Sequence, residues 1–451
     1  MKILLTGATG NVGNYVGRKL FELGHELIVV SRSMKKAELY VEFPAKHIEH
    51  DLVSSPLPAE VLNGVQVIIH LMGETIDGRW TSDKKKLIYD TRIKSSQNLI
   101  QNLPGSVQTI ISASAQGIYG DRGDEILSES SKMGADFLAQ VCADWEKPFL
   151  NLENKNIRTV QLRIGLVLDH QSGALKKMIP MFQKGIGGRL SHGDQFMSWI
   201  SIEDLAHIVA EATSNLNYSG PINCSADSVK NKDWTKYLAQ SLNAFESVPA
   251  PAFALKLILG EMSSLLLSST RMSSEKLKKL GFVFKYDNLE KYFNEKLSNF
   301  RNNQGLIYVH QYVPYSIDKV FPFFAEANNL EKITPAMLNF KIAHQSTDKI
   351  QQGTYIDYNL KIHGFPAKWK TLIDEWNPPF QFVDTQVKGP YSLWHHTHQF
   401  EKMGSGTLMT DLVRYRLPFG FLGNTVAGAF VQQDVESIFK YRREIMAEIK
   451  F

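Results

Sequence analysis

Apolar residues follow two different rhythms along the chain. In the first 300 residues, short apolar runs rich in β-branched side chains, at 2–6, 26–31, 65–71, 109–113 and 159–168, read as strands. Between them, as at 12–23 and 83–102, the apolar positions recur at helical spacing. Strands and helices in alternation argue for a parallel sheet covered on both faces. After residue 305 the pattern changes. A strand at 306–313 and a helical stretch at 316–333 precede strand-like runs at 353–362, 367–376, 380–387, 393–400 and 406–415, with turn signals between them. The last element, 425–449, reads as one long helix, with Val431, Val435, Ile438, Phe439, Ile445 and Met446 at helical spacing. A helix following a curved antiparallel sheet is an α+β plan.

Composition sharpens this division. Of the 48 aromatic residues, 24 lie in 305–451, a third of the length, so that segment is built differently. The polar run 298–305 reads as a linker between a first domain, 1–297, and a second, 306–451. The net charge of +4 divides as +3 before residue 305 and +1 after it, so neither part is a polycation and neither gives a footprint for nucleic acid. Cys142 and Cys224 have no metal-site spacing and suit a reducing compartment. The most apolar stretch, 253–267, is interrupted by Lys256 and Glu261 and is too short to span a bilayer. A cytoplasmic protein is expected.

The chemistry begins at Thr6-Gly7-Ala8-Thr9-Gly10-Asn11-Val12-Gly13, which follows the first strand and opens a helix. Gly7 suits a tight turn, Gly10 lets a pyrophosphate approach the backbone, and Gly13 lets helix and strand pack closely. The helix start supplies free N–H groups and the positive end of a dipole. The second strand ends at Ser31-Arg32. An NAD site usually carries an acidic residue there for the ribose 2′-hydroxyl, whereas an arginine fits a 2′-phosphate. NADP is therefore expected rather than NAD.

Further runs include His70-Leu71-Met72-Gly73-Glu74, Gly78-Arg79-Trp80, the stretch from Ser112 to Gly123, Asp136-Phe137-Leu138-Ala139-Gln140-Val141-Cys142, Arg163-Ile164-Gly165, Met197-Ser198-Trp199-Ile200 and Pro251-Ala252-Phe253. Together they closely resemble an atypical branch of the extended short-chain dehydrogenase/reductases, the epimerase family proteins. The resemblance covers 1–297. It implies a Rossmann-type doubly wound parallel sheet with a small substrate lobe. It also implies that NADP contacts Gly7, Thr9, Gly10, Asn11, Val12, Gly13, Ser31, Arg32, Leu71, Met72, Gly73, Glu74, Ser112 and Arg163. Asp51 and Leu52 match an acidic–apolar pair near adenine in the wider superfamily. That superfamily moves hydride with a Ser/Thr and a Tyr-x-x-x-Lys pair. Here the window reads Phe137-Leu138-Ala139-Gln140-Val141, so both Tyr and Lys are missing. The remaining candidates are Tyr119 as a proton donor or a buried aromatic, Ser114 as a hydroxyl holding a substrate oxygen, and Glu74 as a ribose ligand or base. Arg79, Trp80 and Trp199 are candidate substrate contacts, with core packing the alternative for the tryptophans.

Residues 306–449 resemble the START-like, or helix-grip, ligand-binding superfamily, on Trp394-His395-His396-Thr397-His398-Gln399-Phe400 and Arg414-Tyr415-Arg416-Leu417-Pro418-Phe419-Gly420. The resemblance implies an apolar cavity holding an apolar or aromatic ligand. His396 and His398 would share a strand face, but spacing identifies no third ligand, so no metal is expected. Two functions follow: an NADP-dependent oxidoreductase or epimerase acting on a small molecule, or a non-catalytic NADP(H)- and ligand-binding sensor.

Overall fold

The computed structural model describes residues 1–150 and 152–451. Contacts divide the chain into two compact units: Met1–Ala37 with Ala45–Lys296, and Leu297–Phe451 with Glu38–Pro44.

The first unit is built on strands β1 (Lys2–Thr6), β2 (Glu26–Ser31), β3 (Lys46–Glu49), β4 (Val67–His70), β5 (Thr109–Ala115), β6 (Ile126–Leu127), β7 (Arg158–Ile164), β8 (Leu166–Leu168), β9 (Phe196–Ser201), β10 (Gly220–Cys224), β11 (Asp227–Lys230) and β12 (Arg271–Met272). Seven of these form one parallel sheet in the order β10-β7-β5-β4-β1-β2-β3. Ile3, Leu4 and Leu5 are wholly buried, as expected of a central strand with helices on both faces. The apolar run at 159–168 is two strands rather than one. The chain breaks at Gly165, whose N–H donates to Cys224 O, and β8 joins a second sheet, β11-β9-β8. Strand β3 escapes the apolar pattern because Lys46-His47-Ile48-Glu49 is a short, polar edge strand.

The second unit has β13 (Gly305–Val313), β14 (Lys341–Gln345), β15 (Tyr355–Ile362), β16 (Phe365–Asn377), β17 (Gln381–Lys388), β18 (Leu393–Met403) and β19 (Gly406–Arg416). They form one antiparallel sheet in the order β13-β19-β18-β17-β16-β15-β14, and the long helix Gly420–Glu448 follows. Together they make a helix-grip domain. On that helix Val435, Phe439, Arg442 and Met446 are buried, a stripe at i, i+4, i+7 and i+11. The stretch at 316–333 breaks into two helices, Ile317–Phe324 and Ala327–Lys332. Edge strand β14 is too polar to announce itself. The run 298–305 contains a short helix, Ser298–Asn303, with Phe300 buried, and leads directly into β13. Among the described residues, no helix is long and apolar enough to cross a membrane.

Candidate functional site

The C-terminal ends of β1, β2 and β4 bring the glycine loop, Ser31-Arg32 and the run 71–74 to one edge of the parallel sheet. At Gly7, φ is +77°, and a Cβ there would lie 2.8 Å from the Leu71 carbonyl carbon, so the loop and the end of β4 touch backbone to backbone. A Cβ on Gly13 would fall 2.3 Å from Gly7 O, so the helix Asn11–Glu22 can only approach because this residue has no side chain. Gly10 is different. It is exposed and caps that helix with φ −88°, and its nearest neighbour to a notional Cβ is Gly7 O at 3.3 Å. It leaves an open approach to the first-turn N–H groups, which is the shape a pyrophosphate requires. Thr9, Asn11 and Val12 are half-buried beside it. Asn11 Nδ2 donates to Asp169 Oδ2 (2.8 Å) and Ser172 Oγ (2.6 Å), which fixes its amide to the loop after β8.

Arg32 is exposed at the end of β2, and the half-buried Ser31 hydroxyl donates to Ser33 O. Asp51 is held below the usual carboxylate range, first by the Ser54 hydroxyl, with Arg32 among the nearby charges. Arg32 is thus near enough to Asp51 for its charge to be felt there. At the end of β4, Leu71 and Met72 are half-buried and Gly73 is exposed. Glu74 Oε1 pairs with Lys84 Nζ at 2.8 Å, and the Glu74 N–H donates to Thr91 Oγ1.

Other expected residues lie in the interior, held by partners within the protein. Arg163 is 5% exposed. It is bound in bidentate fashion by Glu146, at 3.0 Å for both Nε–Oε1 and Nη2–Oε2, and its Nη1 donates to Tyr119 OH (3.0 Å) and Glu129 O (2.8 Å). Burial works against its charge, but Glu146 raises its pKa, so it is a fixed cation of the core with its donors committed. Tyr119 is fully buried, and its hydroxyl donates to Asn223 Oδ1 at 2.6 Å while accepting from Arg163. Burial pushes its pKa up. At the turn after β5 its hydroxyl is engaged by Asn223 and Arg163. Ser114, 2% exposed, donates to Glu146 Oε1 at 2.6 Å. Ser112 and Leu52 are also buried, Leu52 in the core beneath β1 and β4. Trp199 is wholly buried against Tyr292. Trp80 donates its indole N–H to Ile76 O and packs edge-on against Phe137, while Arg79 is exposed beside it. The sequence reading missed Glu146. Its signal was a carboxylate among Cys142, Trp145 and Phe149 on the buried face of the helix Phe137–Leu150.

In the second unit the alternation of β15 turns Ile356, Tyr358 and Leu360 inward. They help to line a cavity of about 240 Å³, together with Leu330, Trp369 and Val435. One end of the cavity is polar. Asp384, His396, His398 and Arg442 meet there, and Asp411 lies against both histidines. Asp384 stands directly opposite His396 in the β17–β18 ladder, and Asp411 opposite His398 in β18–β19. Burial, then the neighbouring His398, lowers the His396 pKa to about 4. Burial alone would raise Asp411, but Arg442 and the two histidines hold it well below the carboxylate range. Spacing along β18 could not show that Asp384 joins the two histidines, because it comes from the neighbouring strand.

The sequence pattern of the NAD dependent epimerase/dehydratase family matches residues 3–224. Residues 250–295 match a domain of unknown function, DUF1731. The epimerase family protein SDR39U1 homolog of Arabidopsis thaliana, a chloroplastic protein, is 36% identical over 293 residues, 63% of this chain and 84% of its own. Epimerase family protein YfhF of Bacillus subtilis is 35% identical over 299 residues, 64% of this chain and 96% of its own. The chain belongs to the epimerase family. Human epimerase family protein SDR39U1, solved with NADPH, superposes with a TM-score of 0.59 at 25% identity, over 66% of this chain and 100% of its own. The epimerase-family part is followed by a domain of another kind, since residues 313–439 match the polyketide cyclase/dehydrase and lipid transport family.

Proposed function

We propose that this epimerase-family protein is an NADP(H)-dependent oxidoreductase or epimerase acting on a small molecule, and that its second domain holds an apolar or aromatic ligand. The observation that carries the reading is the open, exposed Gly10 between two glycines that no side chain could replace, with exposed Arg32 on the same sheet edge. A guanidinium there distinguishes a 2′-phosphate from a 2′-hydroxyl. The NADPH in the human relative supports the same choice. The cofactor, when bound, supplies or accepts hydride. This chain's groups at the crevice would position it: the glycine loop under the pyrophosphate, Arg32 at the 2′-phosphate, Leu71 to Glu74 along the nicotinamide half. Of the titratable groups nominated from sequence, Glu74, paired with Lys84, keeps some exposure. The reduced state of the buried Cys142 and Cys224 suits the cytoplasm.

A second reading, a non-catalytic NADP(H)- and ligand-binding protein, is favoured by one observation. Ser114 and Tyr119 are committed to Glu146, Asn223 and Arg163. Mass spectrometry of small molecules released from the purified, unsupplemented protein tests both. NADP(H) together with an apolar or aromatic compound is expected, and that compound is then assayed for turnover with Glu74→Gln as the control. Turnover lost in Glu74→Gln supports the enzyme, and absence of turnover supports the second reading. No dinucleotide, and no NADPH binding on titration, overturns both.

A further inference from the structure

The polar end of the second-domain cavity has an unusual proton count. All four ring nitrogens of His396 and His398 face carboxylates. Asp411 Oδ1 lies 2.9 Å from His396 Nε2 and 2.9 Å from His398 Nδ1. Asp384 Oδ2 lies 3.4 Å from His396 Nδ1 and 3.0 Å from His398 Nε2. A neutral imidazole has one N–H and one lone pair. If each ring gives its proton to Asp411, the two remaining lone pairs converge on the Asp384 carboxylate with nothing positive between them. Whatever the tautomers, two neutral rings leave two lone pairs facing carboxylates, and each proton supplied to remove one turns a ring into a cation. The rings lie 3.7 Å apart, centroid to centroid, in a buried site beside Arg442, where like charges repel strongly. Arg442 reaches Asp384 only through its field and makes its direct contacts elsewhere. Its Nη1 is 3.3 Å from Asp411 Oδ1, and its Nη2 is 3.5 Å from His398 Nδ1.

A single divalent cation resolves the conflict. Donors each about 2.1 Å from one metal, at angles between a right angle and the tetrahedral angle, stand about 3.0–3.4 Å apart. Those are the two Asp384–histidine separations. Asp384, His396 and His398 each offer one donor atom, all within 4.8 Å of one another. Asp411 then plays the part of an outer carboxylate, fixing the tautomer and ring orientation of both histidines. The second face of His398 is set by Phe382, stacked on it at 4.1 Å and 16°.

We propose that Asp384, His396 and His398 form a binding site for a divalent transition-metal ion at the polar end of the cavity, with its open coordination positions turned toward the cavity space. Two imidazoles and one carboxylate suit Zn²⁺, Fe²⁺ or Co²⁺ rather than Mg²⁺ or Ca²⁺. The inference is independent of the dinucleotide reading and does not require the cavity to hold an apolar molecule.

The test uses the untagged full chain, stripped with chelator and titrated separately with Zn²⁺ and Co²⁺. One ion per chain is expected, removable by excess chelator. Asp384→Asn and His398→Gln are each expected to weaken binding 100-fold or more. X-ray absorption of the wild-type Co²⁺ complex gives a reading that needs no variant to fold, and two imidazoles in the inner shell are expected. No stoichiometric binding, undiminished binding by Asp384→Asn, or fewer than two coordinated imidazoles overturns the site, leaving a cluster held together by protons and Arg442.

Discussion

Replacing Arg163 by methionine separates a structural role from a cofactor role. Methionine fills comparable space, so the loss is dominated by charge rather than by a cavity. Four side-chain contacts disappear: two to Glu146, one to Tyr119 and one to Glu129 O. Glu146 stays 5% exposed with Ser114 as its remaining donor. Leaving such a charge without its partner costs about 3–5 kcal/mol, and the surviving Ser114 bond points to the lower end, about 3 kcal/mol. The double variant Arg163→Met/Glu146→Leu removes both charges and recovers part of the loss, with a coupling energy of about 2 kcal/mol. Urea unfolding is the assay. The first-domain transition is identified as the one that saturating NADPH moves to higher urea. NADPH affinity of the folded variant should stay within threefold of the wild type. A stability loss under 1 kcal/mol combined with a tenfold weaker affinity would refute the reasoning and return Arg163 to the cofactor site.

The two glycines of the loop should respond differently to alanine. Gly13→Ala drives a Cβ to 2.3 Å from Gly7 O and should cost about 2 kcal/mol or more by thermal unfolding. Gly10→Ala should cost about 1 kcal/mol or less, yet weaken NADPH binding at least tenfold in a fluorescence titration. His70, wholly buried between Thr6 and Ser95, is held neutral by burial, with its pKa lowered from 6.5 to about 3. The unfolded chain binds that proton first. Stability from this group is thus present above pH 6.5 and is lost as pH falls toward 3, by up to about 1.4 kcal/mol per pH unit. His70→Gln should show a shallower loss between pH 6.5 and 4 in urea unfolding, and an unchanged slope would contradict the burial argument. Leu360→Trp projects a larger ring into the 240 Å³ cavity and should reduce uptake of an apolar fluorescent probe at least fivefold, without altering NADPH affinity.

Sequence conveyed the fold where one rule dominated. Ile3-Leu4-Leu5 could only be a doubly covered strand, and the stripe on the final helix could only face a sheet. Strands β3 and β14 were not legible because edge strands carry polar residues that solvent tolerates. In the candidate site, the glycine loop was legible because turn, approach and packing each demand glycine. Ser114, Tyr119 and Arg163 were not, because their position at a strand end gives no hint of the Glu146 carboxylate packed against them from a helix. The Asp384–His396–His398 meeting depends on register between β17 and β18, which no spacing along one strand reveals. Arg442, a charge on the buried stripe of the last helix, was passed over because the helix was read from its apolar positions alone.

The most direct test of the central claim is a parallel titration of the full chain with NADPH and NADH, repeated on Arg32→Ala. NADPH is expected to bind at least tenfold more tightly than NADH in the wild type. Arg32→Ala should weaken NADPH by roughly 10–100-fold, as loss of charge-assisted hydrogen bonds to a phosphate implies, and leave NADH unchanged. Equal affinity for the two cofactors, or an Arg32→Ala variant whose preference for NADPH is undiminished, would contradict the account.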